Sequence, residues 1–323
     1  MLLRLRRLVA SGTTRYVAGR VGQAALQLFG VITIVFVVLR LSGDPARLLV
    51  PQQATAEDIA RIRTELGLDA PIWEQYLDYL AGLMTFDFGF SYVQGRGALE
   101  LILDRLPYTI NLAVAALVLS MLVGIPVGMA SAFYRRRILG RALMPFVLIG
   151  QSMPAFWLGI LLILVFSVHL GWLPSTGFSG PMSLILPAVT LASLSMATLA
   201  RISRSSFLEQ LSSDYVRTAR SRGAGTMRVL FGHVLRNASI PVVTLLGLEV
   251  AALLGGAVIT ETIFAWPGLG QLTVQAIQAR DFPVVQAIVI FVAVVYIAVN
   301  LLTDMLYAVI DPRVRLTNAE AGL

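Results

Sequence analysis

The chain has 323 residues, of which 57% are hydrophobic and only 13% charged, with a formal net charge of +7. A soluble domain carries about 25% charged residues, so water is not the only solvent this chain meets. All 25 basic residues are Arg and there is no Cys; this excludes a Walker A nucleotide site, a Lys Schiff base, disulfides, thiolate metal sites and Cys nucleophiles.

Taken in chain order, six apolar runs are long enough to cross a bilayer, for which about 20 residues are needed: 21–41, 107–133, 143–170, 184–200, 240–263 and 283–310. The fourth is the shortest, and its ends are expected to extend into the flanking polar residues. Pro126, Pro154, Pro187, Gly255 and Gly256 fall inside the runs, where neighbouring helices can re-satisfy a disturbed backbone. The first run is too long for a signal-peptide core and is not followed by a convincing small-x-small cleavage site, so it reads as a retained anchor.

Arg placement gives the orientation. Residues 1–20 carry five Arg and no acid, and 134–142 carry Arg135, Arg136, Arg137 and Arg141. Segment 201–239 holds seven Arg against Glu209 and Asp214, whereas 42–106 has ten acids against five Arg and 171–183 is uncharged. Basic and non-basic segments alternate, which puts both termini in the cytoplasm and agrees with six spans. The expected organisation is a cytoplasmic N-terminus and first span (1–41), an extracytoplasmic helical layer (42–106), a five-helix core (107–316) containing the basic segment 201–239, and a tail (317–323).

In the layer 42–106, Thr55 is placed to start a helix with Ile59, Ile62 and Leu66 on one face and Gly67 closing it. Pro71 suits the first turn of a second helix through about Met84, with Ile72, Tyr76, Leu80 and Leu83 inward. Residues 87–91 read as a turn. The layer either contacts a binding protein or caps the spans.

Few residues could carry chemistry. Ionisable groups inside spans are costly and count as functional candidates. Glu249 lies near mid-span, Glu261 near the outer end of the fifth span and Asp304 near the inner end of the sixth; Asn111 and Asn300 add uncharged polar groups. Glu249, Asn111 and Asn300 are candidates for lining a pathway, although a buried hydrogen bond to a neighbouring helix serves Glu249 equally. Solvation or capping suits Glu261 and Asp304, and Ser193, Ser195 and Thr198 suit helix packing. His169 and His233 are far apart, so no metal site is expected. No catalytic set stands out, which disfavours an intramembrane enzyme.

The segment 201–241 interrupts the apolar runs. Ser213 can cap a helix over 214–222 with Asp214 in its first turn, and Gly223 can close it in the left-handed conformation. Thr226 can cap a second helix to about Asn237. Such a knob fits a docking groove on another protein; the alternative is an Arg-rich helix lying on anionic lipid.

The stretch Tyr215-Val-Arg-Thr-Ala-Arg-Ser-Arg-Gly223 resembles the cytoplasmic coupling loop of bacterial ABC-importer permeases, in the form found in the peptide and nickel branch. The likeness continues in Leu106-Pro-Tyr-Thr-Ile110, Ser152-Met-Pro-Ala-Phe-Trp-Leu-Gly159, Leu170-Gly-Trp-Leu-Pro174, Glu261-Thr-Ile-Phe-Ala-Trp-Pro-Gly-Leu-Gly270, Arg280-Asp-Phe-Pro-Val284 and Asp311-Pro-Arg-Val-Arg315. It covers about 15–316. Arg217-Thr-Ala219 stands where the general family has Glu-Ala-Ala, so docking would fall to Ala219, Gly223 and Arg side chains.

The resemblance implies an all-α polytopic membrane protein of six spans with the type I importer permease fold, of the first-permease kind, with its large outer loop. It implies a bacterial inner-membrane subunit that is not itself an enzyme. Its partners would be a second, homologous permease, two ATP-binding-cassette subunits (or one fused) that bind ATP and Mg, an extracytoplasmic binding protein and membrane lipid, with no nucleic acid. The coupling residues would be Asp214, Tyr215, Arg217, Thr218, Ala219, Arg220, Arg222 and Gly223. Short peptides are the expected cargo, with nickel, glutathione or another small solute as alternatives. A passive channel or scaffold would instead need no ATPase.

Overall fold

The computed structural model describes residues 2–41, 55–65 and 67–310. The motif 311–315, the tail 317–323 and Leu66 lie outside the described residues, as do the side chains of Ile59, Ile62 and Asp304. The described residues form helices with one two-stranded hairpin. In order they are α1 (Leu2–Leu41), α2 (Ala56–Glu65), α3 (Ile72–Met84), β1 (Phe90–Ser91), β2 (Arg96–Gly97), α4 (Ala98–Phe133), α5 (Ile138–Ser152) and α6 (Ala155–Leu162, extended by a π-helical turn Ile163–His169). A 3₁₀ turn Pro181–Leu184 leads into α7 (Ile185–Leu211), followed by α8 (Asp214–Ser221) and α9 (Thr226–Val229). A second π turn, Leu230–Val234, joins α9 to α10 (Leu235–Ile263); α11 (Leu269–Gln278) and α12 (Phe282–Ile310) complete the order. Among the described residues, five helical segments are long and apolar enough to cross a membrane, and six crossings result if the bent pair α5–α6 is one span.

Three expected spans differ in the structure. The third is not straight: α5 and α6 meet at 102°. Pro154 has no N–H and drives the residue before it out of the helical region; Met153 accordingly sits at φ −100°, ψ 140°. The second begins at Ala98 rather than 107, and Pro107 is inside the helix. The charges that read as loop are neutralised along one helical face, where Arg96 binds Glu100 at 2.6 Å and Asp104 at 2.7 Å. Those bonds raise the pKa of the Arg96 guanidinium above its ordinary range. The fourth runs on to Leu211 and takes in the first part of the basic segment.

The chain forms two compact units, 1–106 with 272–323 and 107–271; their boundary at 106 coincides with the one drawn from sequence, while 1–41 and 42–106 fall in one unit and 107–316 is divided at 271. In the first, α12 packs along α1, and α3 docks on α1 through Phe36, whose ring lies 5.1 Å from that of Tyr76 and 5.8 Å from that of Tyr79. Gly67 closes α2 at φ +63°, with Leu68 N–H donating to Arg63 C=O at 2.9 Å. The expected inward set of α3 needs one correction: Ile72 is 60% exposed, because the contact with α1 starts a turn later. The 87–91 turn also delivers Phe90 and Ser91 into the hairpin, where Phe90 pairs with Gly97. Ser91 Oγ donates to the buried carboxylate of Asp281 at the start of α12.

In the second unit α7 is the central helix. More than half of its apolar window is buried, against 11% for α1. Gly124 and Gly128 let α4 approach α7 backbone to backbone: a Cβ on Gly128 would lie 2.4 Å from Ala200 O and 2.7 Å from Ser203 Cβ. This is the small-xxx-small device that membrane helices use. On the other flank of α7, Met144 and Val147 of α5 pack against Ala197 and Ala200.

Candidate functional site

The basic segment folds into an exposed knob standing on a small apolar core. Helix α8 presents Asp214, Arg217, Thr218 and Arg220 to solvent, as does Arg222 just beyond its end, with Tyr215 and Ala219 half-buried. Its third residue, Val216, is buried among Ala132 of α4, Phe207 of α7, Val229 of α9, Val234 of the π turn and Ala238 of α10. Helical spacing accounts for this: Val216 and Ala219 share a face, and the Arg residues take the rest. Two polar bonds brace the core. Ser206 Oγ donates to Ala238 C=O at 2.9 Å, and Tyr215 Oη donates to Gln210 Oε1 at 2.8 Å.

Gly223 has φ +82°, the left-handed closure expected from sequence. Its N–H donates to Arg220 C=O at 3.0 Å, and Ala224 N–H to Ala219 C=O at 3.1 Å. A Cβ at Gly223 would meet nothing within 4 Å, so the glycine is required by backbone angle and not by space. Arg217 and Asp214 lie 3.5 Å apart with side chains 80% and 95% exposed. Such a pair contributes little to stability and leaves both charges open to a partner.

Two details of the knob differ from expectation. Ser213 occupies the cap position of α8, but its hydroxyl turns back to Gln210 C=O at 2.6 Å. Thr226 is the first helical residue and Gly225 takes the cap position. Moreover, the second helix does not stop near Asn237. A π turn absorbs the change of pitch, and the helix continues into α10. The knob is therefore joined to a spanning helix without a loop.

The pathway candidates separate. Glu249 is buried and accepts a hydrogen bond from Ser195 Oγ of α7. Ser193 and Thr198 return their hydroxyls to their own helix, at Thr190 C=O and Leu194 C=O. Asn111 is exposed on α4, and Asn300 is half-buried on α12 in the first unit.

A second polar node lies at the opposite ends of α4, α7 and α10. Glu261 has no exposed surface, and its carboxylate accepts from Thr109 Oγ1 at 2.7 Å, Gly270 N–H at 2.6 Å and Gln271 N–H at 3.2 Å. It thus caps the first turn of α11 and ties it to α4. Thr109 Oγ1 accepts from Leu269 N–H at 2.8 Å, and Trp266 Nε1 donates to Tyr108 C=O at 3.0 Å. Gly268 leaves room for the carboxylate, since a Cβ there would fall 2.3 Å from Glu261 Oε1. The motif 261–270 is thereby explained as a cap, a turn and a buried Trp. The sequence signals capping at Glu261 but not its partner across 152 residues. In the first unit, a cavity of about 460 Å³ lined by Phe36, Tyr79, Phe90, Arg280 and Phe282 has no signal in the sequence.

The chain matches the family described as "Binding-protein-dependent transport system inner membrane component" over residues 124–316, and that family's N-terminal region over 13–113. It is 43% identical to a protein of Brucella abortus (strain 2308) named as a peptide transport system permease protein, over 94% of this chain and 99% of that one. It is equally identical to the glutathione transport system permease protein GsiC of Escherichia coli (strain K12), over 89% of this chain and 94% of that protein. Among solved structures, the inward-facing MetNI methionine ABC transporter aligns with a TM-score of 0.55 at 19% identity, covering 65% of this chain and 96% of that chain; this likeness speaks for the fold. The chain belongs to the multi-pass inner-membrane permease components of binding-protein-dependent ABC importers, a family that works with an ATPase and a substrate-binding protein and is not itself the catalytic subunit.

Proposed function

We propose that this chain forms half of the translocation pathway of an ATP-driven importer of short peptides, paired with a second, homologous permease. Two ATP-binding-cassette subunits, or one fused pair, hold ATP and Mg and dock on the knob 214–223; an extracytoplasmic binding protein delivers the cargo. Both termini lie in the cytoplasm. Peptide cargo draws on the relatives' names, glutathione being itself a tripeptide. The all-Arg composition supports placing nucleotide on the partners.

The observation that carries the coupling role is the knob's anchorage. Its charged face is free while Val216 is buried between three spanning helices. A ligand shifts an equilibrium only through differential contacts in the two states, so a motor needs a contact that does not yield. Asp214, Tyr215, Arg217, Thr218, Ala219, Arg220, Arg222 and Gly223 make up that contact. When ATP closes the motor subunits, the knob moves with them and α7 and α10 tilt, opening the pathway outward; hydrolysis resets it.

Gly223→Pro tests this. Proline is fixed near φ −65° and cannot replace a residue at +82°, whereas Asn accepts the left-handed region. Peptide uptake by membrane vesicles should be lost in Gly223→Pro and largely kept in Gly223→Asn, with equal membrane insertion of both. Wild-type uptake by the proline variant refutes coupling through this knob.

A further inference from the structure

Helix α3 (Ile72–Met84) has three faces, and among the described residues only one is packed against another helix. At 100° per residue, Tyr76, Tyr79 and Leu83 fall together; Tyr76 and Tyr79 dock on α1, and Leu83 is half-buried. Trp73, Leu77 and Met84 fall on an adjacent flank and are 63%, 55% and 83% exposed. Glu74 and Asp78 form the third face, also exposed. A helix lying free in water has no reason to keep Trp, Leu and Met on an open flank beside a separate acidic one.

Its depth is set by α1. Tyr76 Oη is 2.7 Å from Thr33 Oγ1, and both Tyr76 and Tyr79 touch the Phe36 ring. The apolar segment of α1 ends at Leu41, just after Arg40, whose guanidinium lies over the same Phe36 ring at 5.3 Å. At 1.5 Å per residue, Thr33 and Phe36 lie roughly 6–10 Å below Arg40 along the helix axis. With Arg40 at headgroup level, α3 sits where aromatic belts and interfacial helices sit, about 5–10 Å into the headgroup–acyl boundary. On the face of α1 turned away from Thr33 and Phe36, Ile34, Val37, Val38 and Leu41 are exposed, so the spanning helix presents apolar surface outward at the same depth as the open flank of α3.

We propose that α3 is an interfacial helix set into one leaflet of the bilayer. Its Trp73–Leu77–Met84 flank lies against lipid, its Glu74–Asp78 face against water, and its third face is pinned to α1. The partner of this surface is lipid, not a protein. Assignment to the outer leaflet rests on the topology proposed above; burial in a leaflet does not.

The absence of Cys from the chain makes the test clean. Single cysteines at Trp73, Leu77, Met84, Glu74 and Asp78 carry a nitroxide in the full chain, alone and in the assembled transporter, in phosphatidylethanolamine–phosphatidylglycerol vesicles. Labels at 73, 77 and 84 should be more accessible to oxygen than to a water-soluble nickel chelate, in both preparations, and labels at 74 and 78 should show the reverse. A nickel-accessible label at 77 and 84 overturns the proposal, and so does loss of both accessibilities on assembly, which means a protein covers the flank. If Trp73→Cys inserts poorly, the labels at 77 and 84 report the same face. A membrane-impermeant maleimide on Glu74→Cys reads the leaflet separately: modification from the cytoplasmic side alone breaks the topology and leaves the interfacial placement standing.

Discussion

Glu261 shows how one side chain can hold three helices. Its oxygens serve a hydroxyl on α4 and two N–H groups at the start of α11, from the last turn of α10. Removing an acceptor strands its buried donors, at about 1–3 kcal/mol each. Glu261→Ala should therefore unfold at a clearly lower temperature than wild type in detergent micelles. Glu261→Gln keeps an acceptor oxygen and should lose much less. Equal melting of the two variants would mean that the cap does not stabilise the end of this unit. Glu249 illustrates the limit of reading ionisable residues alone. Its mid-span position marks it as unusual, but only the structure gives it Ser195 as a partner. Gly223 is the opposite case, because its place after a short capped helix foretells its backbone angle.

At the scale of elements, the legible features were those set by local chemistry. Hydropathy found the spans, Pro71 and Gly67 marked the short helices between the first two spans, and Arg spacing marked the knob. What escaped depended on contacts distant in sequence. The bend at Met153–Pro154 was passed over although Pro154 stood in view, because proline is tolerated inside membrane helices and an apolar run reads alike whether straight or broken. The early start of α4 was hidden by charges that only Arg96 neutralises. The α4–α7 seam was missed although Gly124 and Gly128 have the spacing of a close-packed pair. Gly128→Leu puts a side chain where Ala200 O stands 2.4 Å from the first added carbon. Overpacking of this kind costs about 1–3 kcal/mol or more. The variant should insert, yet yield little protein that remains monodisperse in size-exclusion chromatography, whereas Gly128→Ala should be milder. A monodisperse, fully active leucine variant would show that the seam tolerates separation.

For the whole molecule, the coupling reading makes a prediction about assembly. Thr218 is exposed on α8, and it accepts from Ser221 Oγ and Arg222 N–H through its backbone carbonyl, which a side-chain exchange leaves in place. In this cysteine-free chain, Thr218→Cys should form an oxidative cross-link to a cysteine placed on the docking face of the ATPase, and ATP should change its yield. A residue that touched only lipid would give no cross-link at any nucleotide state.

From Thr226 to Ile263 the backbone is helical throughout, passing through the π turn 230–234, a length of about 57 Å at 1.5 Å per residue. One end is gripped by the core beneath the knob and the other carries Glu261. A shaft of this kind cannot shorten, so it has only rotation and inclination with which to answer a push. The wider coil at 230–234 lies within the first of these grips, because Val234 packs in the core beneath the knob, so a push on the knob would enter the shaft there.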